Sequence, residues 1–206
     1  MKLSVVNLSC RRGETRLFDA LAFDLDAGES LHVCGANGSG KTTLLRFLCA
    51  LSFPDEGEIF WNDQAIGHAL CDYRSQLATL GHRDAIKEEL TPIENLKLAA
   101  LLSGGGFDLE SALGALKRLG VPDGDDIFCR RLSQGQKRRV ALARLLLLDR
   151  PLWILDEPCA ALDPTATREV ASMIDAHLSG GGIAVVASPS ADAFPKARKL
   201  RLSASC

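Results

Sequence analysis

The hydrophobic pattern changes period along this chain. KLSVVNL (2–8) and RLFDALAFDLDAGE (16–29) alternate apolar and polar positions over much of their length, which predicts strands ending at Gly28. SLHVC (30–34) is a short apolar strand that runs straight into a glycine-rich turn. KTTLLRFLCAL (41–51) then has helical spacing and stops before Pro54. GEIFWN (57–62) reads as a further strand and QLATLGH (76–82) as a short buried one. From about Ile86 to Leu148 the spacing is helical. PIENLKLAALL (92–102) carries Pro92 at its first position behind Thr91 as N-cap. LESALGALKRLGV (109–121) is amphipathic and closes at Gly120 and Pro122. QGQKRRVALARLLLL (134–148) is the longest helix expected. LWIL (152–155) has no polar alternation, which predicts a strand buried on both faces. PTATREVASMIDAHL (164–178) predicts a helix, GIAVVAS (182–188) a buried strand and KARKLRL (196–202) an edge strand. The sum is one α/β domain over 1–206, a mixed β-sheet core with a helical lobe inserted at about 85–140.

Composition narrows the classes without choosing among them. The chain has 206 residues, enough for a substantial core, and a formal net charge of -2 gives nucleic-acid binding no support. The seven cysteines, at 10, 34, 49, 71, 129, 159 and 206, form no C-x-x-C pair. Their odd number points to reduced thiols rather than to zinc or a disulfide framework. MKLSVVNLSCRRGE becomes charged too early for a secretion signal. No run approaches the roughly 18 uncharged apolar residues of a membrane span, because Asp149, Arg150 and Pro151 stop VALARLLLL.

Two stretches carry chemistry. GANGSGKTT (35–43) fits G-x-x-x-x-G-K-[ST] between a strand and a helix. Its members are Gly35, Ala36, Asn37, Gly38, Ser39, Gly40, Lys41, Thr42 and Thr43. Glycines let backbone N–H groups turn around a phosphate, and the helix N-terminus adds partial positive charge. Lys41 reaches the β- and γ-phosphates, and the Thr42 hydroxyl can ligate Mg²⁺. LWILDEP (152–158) ends a buried strand with Asp156, suited to the Mg²⁺ water shell. Glu157 follows, placed to polarise a water that attacks the γ-phosphate. Catalytic roles thus fall to Lys41 and Glu157, with a nucleotide's phosphates and Mg²⁺ as the ligands.

A third stretch, RRLSQGQKRRVALARL (130–145), begins a helix and reads as a second phosphate grip. Taken with GANGSGKTT, LWILDEP and ALD (161–163), LSQGQ resembles the signature of the ATP-binding cassette family, over nearly the whole chain. That resemblance implies a P-loop NTPase fold and a head-to-tail pair of cassettes. Ser133, Gln134, Gly135 and Gln136 of one copy would then meet ATP held by the other, with Asp163 between the two sites. LGHRDAIKEELTPIENL (80–96), RRLSQGQKRRVALARL and LWILDEPCAALD (152–163) narrow the resemblance to the ATP-binding subunits of cytochrome c biogenesis transporters, the haem-exporter type. This implies a translocase subunit lying peripherally on the cytoplasmic face of a bacterial inner membrane, against a polytopic membrane permease, with HRDAIKEEL (82–90) at the contact. None of His32, His68, His82 and His177 belongs to a haem motif.

Departures from the family pattern set further expectations. Gln134 fills the third signature slot, usually glycine. Arg11 or Arg12 stands where an aromatic usually stacks on adenine, a role a guanidinium plane can fill. His82 takes the slot of a metal-contacting glutamine, where a neutral imidazole can accept from a metal-bound water. Pro189, in VVASPSAD (185–192), takes the slot of a histidine that contacts the γ-phosphate, which implies slow hydrolysis. The competing reading is an ATP-dependent dimerising cassette, non-transporting or weakly hydrolysing. A GTPase would need N-K-x-D, which is missing. Cassette proteins of translation or DNA repair would carry two cassettes or a long coiled-coil insert.

Overall fold

In the computed structural model, residues 1–121, 127–189 and 194–203 are described. The alternating N-terminal segments become β1 (Lys2–Arg12) and β2 (Thr15–Asp26), an antiparallel hairpin. The continuous apolar run becomes β3 (Ser30–Cys34), buried at every position, and it belongs to a different sheet. After α1 (Lys41–Leu48) the chain returns to the hairpin with β4 (Glu56–Trp61) and β5 (Gln64–Ala65). The resulting sheet has the order β2-β1-β4-β5 and is antiparallel throughout.

A short helix, α2 (Leu70–Ser75), leads to β6 (Leu77–Leu80). Three helices follow: α3 (Pro92–Leu102), α4 (Leu109–Arg118) and α5 (Gln134–Leu148). They pack on one another before β7 (Leu152–Asp156), α6 (Pro164–Ser179), β8 (Ile183–Ser188) and the edge strand β9 (Arg198–Arg201) complete the chain. The second sheet has the order β6-β7-β8-β3-β9, and each of its pairs is parallel. The mixed character of the β structure therefore lies between two sheets rather than within one.

Period-two geometry explains why β7 and β8 are apolar without interruption. Leu152 and Ile154 of β7, with Ile183 and Val185 of β8, face a core shared with Leu3, Leu25, Leu44 and Leu48. Trp153 and Leu155, with Val186, face the opposite core, against Leu142, Leu145, Val170 and Met173. A parallel strand covered on both faces has no side left for water. The register then lines up the carboxyl ends: Asp156 lies opposite Ala187, and Cys34 opposite Ser188. That edge is where an open parallel sheet presents its functional groups.

Local signals set most helix starts. Thr91 Oγ1 accepts from Glu94 N–H while Glu94 Oε2 accepts from Thr91 N–H at 2.8 Å, a complete capping box ahead of Pro92. Asp163 Oδ1 accepts from the N–H groups of Thr165 and Ala166, both at 2.9 Å, and starts α6. Two expectations need correction. Among the described residues the longest helix is α6, 16 residues against 15 for α5, because α6 runs one residue past Leu178 to Ser179, whereas α5 keeps its expected bounds and stops at Asp149 in the left-handed region. The helix expected to run to Leu51 ends at Leu48, where the Tyr73 hydroxyl and the Arg74 guanidinium bind the carbonyls of Leu48 and Ala50 and Ala50 turns to a φ of +53°. Gly120, at φ +62°, follows α4 as expected, whereas Pro122 and Cys206 lie outside the described residues. Among the described residues, no helix is long and apolar enough to cross a membrane.

Candidate active site

The turn between β3 and α1 holds the phosphate-loop residues. A Cβ on Gly35 would lie 2.3 Å from the Leu202 carbonyl oxygen and 2.7 Å from Ser39 Oγ, so only glycine lets the loop close there. Lys41 is buried at the first position of α1, and its ammonium donates to the carbonyls of Gly35 at 2.7 Å and Ala36 at 2.9 Å. An ammonium carries three N–H donors, so one remains for a ligand. Ser39 Oγ is buried without a hydrogen-bond partner among the described residues. A buried hydroxyl left alone is costly, and a phosphate oxygen would relieve it.

The two halves of the site meet across 114 residues of sequence. Thr42 Oγ1, on α1, donates to Asp156 Oδ2, at the end of β7, at 2.9 Å. A hydroxyl and a carboxylate oxygen side by side are the hard oxygen donors that suit Mg²⁺. Asp156 is buried, so this carboxylate is shielded from bulk water. Glu157 follows with a φ of +49°, a left-handed backbone that a non-glycine residue adopts at a cost of about 1–3 kcal/mol. Its N–H donates to the Ala187 carbonyl at 2.8 Å, which ties it to the end of β8.

Ser133 and Gln136 form the N-terminal cap of α5. Ser133 Oγ accepts from Gln136 N–H, and Gln136 Oε1 accepts from Ser133 N–H at 2.8 Å. Gln134 is exposed, and its side-chain amide donates to Asp84 at 3.0 Å. Gly135 lies against the ALD segment, where an added Cβ would come within 2.7 Å of the Ala161 carbonyl. Asp163 also pairs with Arg139 of α5. Hydrogen bonding from the Ala166 N–H first, and then the Arg139 charge, hold the Asp163 carboxyl below the usual carboxylate range.

The remaining sequence candidates are more dispersed. His82 is exposed in the loop after β6, next to Gly81. Pro189 is exposed in a bend directly after β8, two residues beyond the Ala187 that faces Asp156. Arg11 and Arg12 are exposed at the end of β1, with the Arg11 N–H held by Asp55 at 2.6 Å. His32 is fully buried and shares a 2.8 Å hydrogen bond with Ser188, while His177 stacks on Trp153. His68 is exposed beside α2.

Sequence reasoning missed two residues, Asp84 and Arg138. Both are buried, and their side chains pair at 2.7 Å. The only signal was positional: Arg138 sits one turn before Leu142 and two before Leu145, on the buried side of α5. A cation at an apolar-face position needs partners, and the sequence does not say which.

The family model described as ABC transporter matches residues 18–160. This chain belongs to the ABC transporter family. The cassette is 49% identical over 202 residues to the cytochrome c biogenesis ATP-binding export protein CcmA of Dechloromonas aromatica, covering 97% of this chain and 99% of that one. It is 43% identical over 202 residues to the protein of the same name from Methylococcus capsulatus, covering 98% of each. An ABC transporter ATP-binding protein from Pyrococcus furiosus superposes with a TM-score of 0.86 at 26% identity, over 98% of both chains. The cassette is accordingly an ATP-binding, ATP-hydrolysing subunit of an ABC transporter.

Proposed function

We propose that this cassette hydrolyses ATP for a membrane complex of cytochrome c biogenesis, of the haem-exporter type, in which it drives a polytopic permease. The relatives named above are called cytochrome c biogenesis ATP-binding export proteins, which supports this reading. The observation that carries the mechanism is the 2.9 Å contact between Thr42 and Asp156, which joins the phosphate loop to the acidic end of β7. The residues of 35–43 bind the phosphates, and Lys41 places its charge beside the transferring group. Thr42 and Asp156 would hold Mg²⁺, which would neutralise charge on the phosphate groups when bound. Glu157 orients the attacking water and accepts its proton. His82 assists from the loop after β6, and Pro189 withholds a donor at the end of β8. Turnover is therefore slow.

Ser133, Gln134, Gly135 and Gln136 complete the site of a second copy, since α5 begins with a capped turn of the kind that binds anions. A dimeric cassette bound to ADP and Pi shares this fold, with a TM-score of 0.86 at 22% identity. The whole chain, 1–206, acts as one cassette whose lobe at about 85–140 meets the permease on the cytoplasmic face of the inner membrane. A groove lined by Ala85, Ile86, Leu98, Ala99, Leu102 and Arg144 lies at the HRDAIKEEL segment and supports that contact.

Capture of the cassette from solubilised membranes, with its partner identified, tests the assignment. The expected partner is a polytopic membrane protein; recovery of soluble proteins alone would refute it. Glu157→Gln in the captured complex should bind ATP, turn over slowly and accumulate as a closed dimer. Native turnover in that variant would remove Glu157 from the mechanism.

A further inference from the structure

Arg138 is 3% exposed, and all five of its N–H donors have acceptors. Nη2 donates to the carbonyls of Asp156 at 2.7 Å and Glu157 at 2.6 Å. Nε reaches the Pro158 carbonyl at 3.4 Å. Nη1 donates to the Gly81 carbonyl at 3.0 Å and to Asp84 Oδ1 at 2.7 Å. Both oxygens of Asp84 are engaged, because its Oδ2 accepts from Gln134 Nε2 at 3.0 Å. One planar group thus joins two segments, the backbone of 156–158 and the loop 81–84 that leads into the lobe, and Asp84 extends the link to the signature turn.

This arrangement bears on the strained backbone of Glu157. A left-handed non-glycine residue persists only where its surroundings over-determine it. Here the Glu157 N–H is held by Ala187 and its carbonyl by Arg138. Any movement of the signature turn or of loop 81–84 pulls on the same guanidinium. The departure at the third signature position also acquires a physical reason. A glycine at 134 would have no amide to give Asp84, and the signature turn would lose its tether to the loop.

We propose that Arg138 is a positioning residue that fixes the placement of Glu157 and, through Asp84 and Gln134, makes that placement depend on the signature turn and the lobe entry. The proposal rests on the reading of Glu157 as the water-orienting carboxylate. Lysine cannot substitute, since three donors on one point charge cannot span acceptors on two edges of a plane.

The test is steady-state ATPase of the assembled membrane complex, with kcat and KM measured for the native chain, Arg138→Lys, Asp84→Asn, Glu157→Gln and the Arg138→Lys, Glu157→Gln double variant. A misplacement on the order of 1 Å reduces rate about 100-fold, so Arg138→Lys should lower kcat roughly 10- to 100-fold with KM nearly constant. Asp84→Asn should lower kcat alone, by less. In the Glu157→Gln background, Arg138→Lys should cause no further loss, because residues acting as one unit are not additive. A purely structural role would instead reduce kcat by the same factor in both backgrounds, or raise KM, and either result overturns the proposal. If Arg138→Lys does not assemble, Asp84→Asn alone and combined with Glu157→Gln decides by the same criteria. Native kcat in Arg138→Lys beside a slow Glu157→Gln overturns the proposal alone. Native kcat in Glu157→Gln overturns the reading of Glu157 and the proposal with it.

Discussion

Gly135→Ala offers a test of how tightly the signature turn sits on its own chain. The new Cβ would lie 2.7 Å from the Ala161 carbonyl oxygen, and ordinary contact begins at 3.4 Å. The obstacle is backbone, so no rotamer change relieves it. Either the start of α5 or the 159–163 segment has to move by about 0.7 Å. Overpacking of this kind costs about 1–3 kcal/mol. For a domain of this size each kcal/mol lowers Tm by about 2–4 °C, so the expected fall is roughly 2–12 °C. The displaced segment includes the approach to Asp163, which Arg139 holds from α5. Turnover of the assembled complex should therefore fall, whereas ATP affinity of the isolated chain should stay at the native value, since the phosphate loop is untouched. Differential scanning fluorimetry and equilibrium binding of a fluorescent ATP analogue read the two effects. A Tm within about 1 °C of native would refute the reasoning, because it lies below the smallest expected cost.

Three further outcomes follow from single residues. Lys41→Ala should abolish ATP turnover in the assembled complex, because it removes the cation held 2.7 Å from the Gly35 carbonyl inside the loop; full activity would contradict the phosphate-loop assignment. Thr91→Ala removes the side-chain half of the capping box at α3 and should cost about 1 kcal/mol, a Tm fall of about 2–4 °C by calorimetry, with turnover retained in the fraction that stays folded. His177 is held below the usual histidine pKa, chiefly by burial. The unfolded chain therefore binds its proton at a higher pH than the folded chain does. That contribution to stability is whole above about pH 6.5 and is lost as pH falls through the ordinary value towards the lower folded one. Chemical denaturation at pH 7.5 and 5.5 should show a smaller loss for His177→Gln than for the native chain, and equal slopes would exclude His177 as the source.

The sequence alone determined whatever depends on neighbours along the chain. The phosphate loop was legible because glycines, lysine and threonine act within nine consecutive residues. Thr91 announced the start of α3 because a cap is satisfied three residues away. The buried strands β7 and β8 showed in their unbroken apolar runs, which two-sided cover requires. The period was less exact at the end of α1, where Ala50 turns left-handed for reasons outside the pattern. Only the tertiary structure decided the rest. It separated the strands into an antiparallel and a parallel sheet, because pairing depends on which strands the crossovers bring together. It brought Thr42 to Asp156, which periodicity cannot relate across 114 positions. It turned Arg138 from one basic residue among several into the link between 81–84 and 156–158, and through Asp84 to Gln134, since five acceptors from two segments converge only after the helices have packed on the sheet.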